Sequence, residues 1–155
     1  MRQAALFSAL TGLAWADIKK LKWSEIKLKD KQISIIRQKS DGYQEVMTNP
    51  LSETAIKLLP AQKDPETLVF DLPTADGANK TLKKWVRRAG IDKKITWHNL
   101  RHSFGTNIVH LTGDLLTTSK LLMHSSTKHT MRYVRASEKL KRAATDKIQL
   151  NLDFE

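Results

Sequence analysis

The chain has 155 residues, 40% of them apolar, which is enough for one domain with a genuine core. It has no cysteine, which excludes disulfides, thiolate catalysis and cysteine-ligated zinc, and no run of about eighteen apolar residues that would read as a membrane-spanning helix. Lysine and arginine number 27 against 16 aspartate and glutamate, a formal charge of +11, and such an excess on a small domain favours a polyanion partner, most commonly nucleic acid, over a merely basic soluble surface.

Met1 to Leu6 lacks the apolar run and cleavage site of a signal peptide. Ala4 to Leu10 reads as a helix stopped by Thr11-Gly12. Trp15 to Leu21 reads as a second, with Ile18 and Leu21 inward and Lys19-Lys20 outward. Three strands follow: Glu25 to Leu28, Gln32 to Ile36 and Gln44 to Met47, with turns at Asp30-Lys31 and Ser40-Asp41-Gly42. Pro50 ends the sheet, Ser52 is the expected N-cap of a helix through Leu59, and Thr67 to Phe70 reads as a short isolated strand.

Gly77 to Ala89 has a clear helical period, with Leu82, Trp85, Val86 and Ala89 on one stripe and Gly90 as the stop. Lys80, Lys84, Arg87 and Arg88 fill much of the remainder, either as a phosphate-facing stripe or as an ordinary solvated face. Trp97 to Leu111 is the next helix, with Leu100, Phe104, Ile108 and Leu111 as its buried stripe. His98, Arg101 and His102 lie off that stripe, and Gly105 leaves room for close approach. Leu115 to Met123, Thr127 to Val134 and Glu138 to Ile148 complete the helices. The fold class is therefore α+β, mainly α, with helices around a small three-stranded antiparallel sheet.

The chemistry concentrates in His98-x-x-Arg101-His102, His124 and Tyr133. The imidazoles, the guanidinium and the phenol of this set suit attack on a phosphodiester. His98 and His102 also have the spacing of zinc ligands, but Asn99 stands where a catalytic Glu would, and no third ligand is near. A serine hydrolase fits poorly, since no Gly-x-Ser-x-Gly elbow is present.

Taken together, the motifs resemble the catalytic domain of the tyrosine recombinases, the phage-integrase family, over nearly the whole chain. Phe7 to Ile18, running on to Leu21-Lys22-Trp23, is similar to the family's first box, in the style of mobile-element integrases of Bacteroides-type bacteria. Ile36 to Ser40 with Val46 to Leu51 is similar to its lysine-bearing hairpin, and Thr96 to Phe104 to its second box. Leu121 to His124 and Thr130 to Tyr133 match its last two elements.

The resemblance implies the tyrosine-recombinase catalytic fold and a bacterial, cytoplasmic, DNA-associated enzyme that cleaves and rejoins DNA strands through a 3′-phosphotyrosine. No metal, ATP or other cofactor is implied. Tyr133 would be the nucleophile, Arg101 a phosphate clamp and Lys39 the acid for the leaving 5′-oxygen. His98 would serve as acid/base or phosphate donor, and His124 as a donor to the same phosphate. His102 would support Arg101, while Tyr43, His110 and His129 match no catalytic element. Lys80, Lys84 and Arg87 would meet the DNA backbone.

Two residues depart from the family pattern. Met123 stands where glycine often precedes the histidine, and Ala14 occupies the position of the first catalytic arginine. Arg2 is the expected substitute, ahead of Lys19 and Lys20, which cannot form a bidentate fork. The expected unit is a single catalytic domain, 1–155, a fragment lacking the family's N-terminal core-binding domain. Its partner would be duplex DNA, on which a homotetramer would form through the tail, Leu140 to Leu152. A DNA-binding relative impaired by Ala14, and a type IB topoisomerase-like nicking and resealing enzyme, are the alternatives.

Overall fold

The computed structural model describes residues 1–38, 44–124, 127–133, 142, 145 and 146. Lys39, the Ser40-Asp41-Gly42 turn, Tyr43 and Val134 lie outside the described residues, as does all but three positions of the expected last helix and tail.

The first helix, α1 (Arg2–Thr11), buries Ala4, Ala5, Phe7, Ser8 and Thr11 and ends at Gly12. Gly12 has φ +70°, and its N–H donates to the Ser8 carbonyl at 2.9 Å. A side chain there would be strained, and its Cβ would stand 2.4 Å from the Phe104 ring. Glycine thus both ends α1 and lets it close on a later helix. A short second helix, α2 (Trp15–Lys20), follows and buries Ile18.

After a 3-10 turn, Trp23–Glu25, three strands form an antiparallel sheet in sequence order: β1 (Ile26–Lys27), β2 (Gln32–Gln38) and β3 (Gln44–Pro50). Ile33 pairs with Asn49 and Ile35 with Met47. Ile33 and Ile35 are buried while Ile36 and its partner Val46 are exposed, the alternation of a sheet with one wet face. The expected first strand is shorter, because Glu25 belongs to the turn and its carboxylate accepts from the Lys22 N–H at 2.9 Å. The expected strand Thr67 to Phe70 is a single bridge, Lys22 to Leu68, flanked by hydrogen bonds from Val69 to Leu21 and from Trp23 to Thr67.

Ser52 caps α3 (Glu53–Lys57), its hydroxyl accepting from the Ala55 N–H at 3.2 Å. Thr74 caps α4 (Ala75–Arg88), which starts two residues earlier than its apolar period predicts and buries Ala78 and Leu82. Next is α5 (Trp97–Thr112), docked to α4 by the Trp97 N–H donating to the Asn79 amide oxygen at 2.8 Å. Last comes α6 (Leu115–Leu121), capped by Asp114.

The buried face of α5 is turned from the one its apolar residues predict, with Leu100 and Phe104 half-buried against the cores. Trp97, Arg101, Gly105 and Val109 are buried, whereas Leu111 is 81% exposed. The helix is rotated toward an arginine and a glycine because two helix ends and a tyrosine ring pack there. Periodicity in hydrophobicity carries no trace of those partners.

The expected helix Thr127 to Val134 is also replaced, by two 3-10 turns, Thr127–His129 and Met131–Tyr133. Thr130 between them is fully buried, and its hydroxyl bonds His124 Nδ1 at 2.8 Å. One core cluster joins α1, the sheet, α4 and Trp97; a second, smaller one holds Val109, Leu122 and Tyr133.

Candidate active site

Ala14, His98, Arg101, His102, His124, His129 and Tyr133 line one cavity of 380 Å³. The first two turns of α5 supply His98, Arg101 and His102. The turn after α6 supplies His124, and the two 3-10 turns supply His129 and Tyr133.

The start of α5 is fixed by Asn99, whose amide oxygen accepts from the Thr96 N–H and hydroxyl, each at 2.8 Å. The residue that spoiled a zinc motif is therefore a cap. Among the described residues no three His, Asp or Glu side chains are placed to share a metal ion.

Arg101 is buried, 8% exposed. Its Nη1 donates to the Gly12 carbonyl at 2.6 Å and its Nη2 to the Leu122 carbonyl. Both carbonyls belong to helix C-terminal turns, where backbone acceptors lack intrahelical donors and the macrodipole is negative. A guanidinium with five N–H groups can hold both and still face the cavity its side chain lines.

The end of α6 is closed on every side. Met123 N–H donates to Lys120 and His124 N–H to Ser119, at 2.8 and 3.0 Å. The Asn49 side chain donates to Leu121 at 2.6 Å, and Arg101 takes Leu122. This is a Schellman turn with Met123 at φ +53° in the place glycine prefers. Met123 is buried in the main core, which offsets the backbone cost, so the turn is kept and His124 is presented.

Tyr133 is buried, 8% exposed, deeper than its polar neighbours in sequence suggest. Its hydroxyl lies 2.8 Å from His102 Nδ1. The His102 ring meets the His98 ring edge-on at 4.2 Å, and the His124 ring lies parallel to that of Tyr133 at 6.5 Å. Gly105 makes room for the phenol: a Cβ there would be 2.9 Å from Tyr133 Cε2 and Cζ and from Leu122. Gly105→Ala should therefore cost about 1–3 kcal/mol through overpacking and displace the ring, and thermal unfolding would check it.

The sequence marks His102 as a support for Arg101, and the structure adds a contact of its Nδ1 with the Tyr133 hydroxyl. His129 matches no catalytic element, yet it lines the cavity with its ring 5.8 Å from that of His124. Only its spacing from His124 could have flagged it.

Other expected residues are not brought here. Arg2 opens α1 while Ala14 follows its far end, about 15 Å away at a helical rise of 1.5 Å per residue. It lines a different, apolar cavity with Leu82, Trp85 and Val86, so it does not stand in for the missing arginine. Lys19 turns away too, its ammonium held by the carbonyls of Leu72 and Pro73 at 3.1 and 2.5 Å. His110 lies exposed near the other end of α5. Lys80 and Arg87 line a separate basic cleft of 510 Å³ with Lys83, Lys93 and Lys94, while Lys84 is exposed outside it.

Residues 1–139 match the model of the phage integrase family. The chain is 28% identical over 156 residues to the tyrosine recombinase XerD of Listeria innocua, covering 89% of this chain and 51% of that protein. A shorter match, 48% identical over 52 residues, joins it to XerD of Corynebacterium glutamicum, covering 34% of this chain and 17% of that one. The chain thus spans at most about half the length of these relatives.

Among solved structures it is similar to the Tn1549 transposon integrase in complex with a circular intermediate DNA. The TM-score is 0.73 at 17% identity, over 94% of this chain and 58% of that one. It is also similar to the catalytic domain of bacteriophage HP1 integrase, with TM-score 0.67 and 23% identity over 99% of this chain and 84% of that one. These likenesses establish the fold: helices around a small sheet, as in tyrosine-recombinase catalytic domains.

Proposed function

Because the chain belongs to the phage integrase family, we propose that it carries the catalytic centre of a site-specific DNA recombinase working through a 3′-phosphotyrosine at Tyr133. The observation that carries this reading is the convergence of the Tyr133 phenol, the Arg101 guanidinium and the His98 and His124 imidazoles on one cavity.

In this reading the Tyr133 oxygen attacks phosphorus, the bond to the 5′-oxygen breaks, and that oxygen leaves protonated by Lys39. Arg101 binds non-bridging oxygens and gains most as charge builds in the transition state. His98, exposed in the first turn of α5, and His124 donate to the same phosphate. Fixed cations and N–H donors serve where other phosphoryl-transfer sites use Mg²⁺. The phosphotyrosine keeps the energy of the phosphodiester, so rejoining needs no nucleotide. The +11 charge and the cleft of Lys80, Lys83 and Arg87 suit duplex DNA, with affinity falling steeply as salt rises. Assembly as a tetramer through the tail belongs to the same proposal and lies outside the described residues.

The test is to incubate the chain with nicked duplexes of randomised sequence and map any denaturant-resistant adduct by mass spectrometry. An adduct at Tyr133 supports the reading; binding without an adduct turns it to the impaired relative.

Ala14 favours that second reading, since it lines the cavity and presents only a methyl group. Ala14→Arg should raise the cleavage rate by on the order of a hundredfold, the effect of one preorganised donor. Single-turnover adduct formation measures it, and an unchanged rate would mean that this wall of the cavity does not face the phosphate.

A further inference from the structure

We infer that His102 is the base that takes the Tyr133 proton during strand cleavage and returns it on rejoining. The inference rests on Tyr133 being the nucleophile, and it gives a reacting role to a residue that the family resemblance leaves as a support.

A phenol has a pKa near 10, so only about a thousandth of it is ionised at neutral pH, and a positioned acceptor is needed. An imidazole is suited by its ordinary pKa near 6.5. His102 Nδ1 stands 2.8 Å from the phenolic oxygen, within the reach that proton transfer requires. For the hydroxyl to donate, Nδ1 must carry the lone pair, which places the neutral ring's proton on Nε2.

The ring belongs to a sixteen-residue helix and packs edge-on against His98 at 4.2 Å. The imidazole of His124 has another partner for its Nδ1. His124 Nδ1 is bonded to the Thr130 hydroxyl at 2.8 Å, and the His124 ring lies parallel to that of Tyr133 with centroids 6.5 Å apart.

The step balances as follows. The Tyr133 O–H bond breaks and its proton goes to His102 Nδ1, while the tyrosine oxygen bonds phosphorus. The P–O5′ bond breaks, and the 5′-oxygen takes a proton from the Lys39 ammonium assigned above. His102 ends as imidazolium and Lys39 as amine, and rejoining runs the transfers backward. Among the described residues that line the cavity with His102, the titratable and charged groups are His98 and Arg101 on its own helix, Tyr133 and His129 from the two 3-10 turns, and His124 from the turn after α6.

The experiment compares adduct formation at Tyr133 by the unsubstituted chain, His102→Gln and His102→Asn from pH 7 to 9. Either amide can meet the hydroxyl but cannot take its proton. Near neutral pH the variants should form adduct about a hundredfold more slowly or worse, with DNA binding and unfolding temperature retained. That deficit should shrink as pH rises, because the variants then depend on spontaneous ionisation of the phenol, which grows about tenfold per pH unit.

Adduct formation at the unsubstituted rate would overturn the inference while leaving the Tyr133 reading intact. A deficit that stays constant with pH would also overturn it, since His102 would then only position the ring. If the unsubstituted chain forms no adduct at Tyr133, the underlying reading fails first and the inference with it.

Discussion

Arg101→Ala should lower stability by about 2–5 kcal/mol and cleavage by at least a hundredfold, two losses with separate causes. The first follows from leaving the carbonyls of Gly12 and Leu122 without the guanidinium. Each buried acceptor stripped of its donor costs about 1–3 kcal/mol. For a domain of this size that is a fall in unfolding temperature of about 5–15 °C. The second follows from removing the one arginine that lines the cavity among the described residues. Arg101→Lys should recover only part of each, since a point charge cannot span two carbonyls from different helix ends. Calorimetry and single-turnover cleavage separate the effects. An unchanged unfolding temperature would refute the clamp, and unchanged cleavage would refute the phosphate contact.

Tyr133→Phe should abolish the covalent adduct while leaving a folded, DNA-binding protein. The substitution removes one oxygen and keeps the ring that packs beside Gly105, Leu122 and Val109. Its cost in stability includes the hydrogen bond with His102, about 1 kcal/mol. Binding to nicked duplex by gel shift and adduct by denaturing gel report the two halves. A surviving adduct would move the nucleophile elsewhere, and the chain has one other tyrosine, Tyr43.

Much of the fold was legible because local rules and tertiary packing agree. The alternation of Ile33, Ser34 and Ile35 specifies which side of the sheet is buried, and Ser52 caps the helix it precedes. Legibility failed where distant groups decide. Arg101 is buried because two helix ends supply acceptors, and no periodicity announces them. The segment 127–133 breaks into 3-10 turns because Thr130 turns inward to hold His124. The candidate site was legible as a set of residue types in order. The three-dimensional corrections are Arg2, stranded at the start of α1, His102, whose Nδ1 meets the Tyr133 hydroxyl, and His129, which matches no catalytic element yet lines the cavity.

The closed end of α6 also bears on how the chain acquires reactivity. The contacts around it and around Arg101 span 21, 72 and 89 residues of sequence. Contacts between such distant segments form only after large loops have closed and neighbouring elements have docked. A nascent or partly unfolded chain therefore owns the phenol but not the surroundings that would make it a nucleophile. If the chain cuts strands as proposed, complete folding is the safety catch on that reaction, and local opening of α1, β3 or α6 would disarm the site.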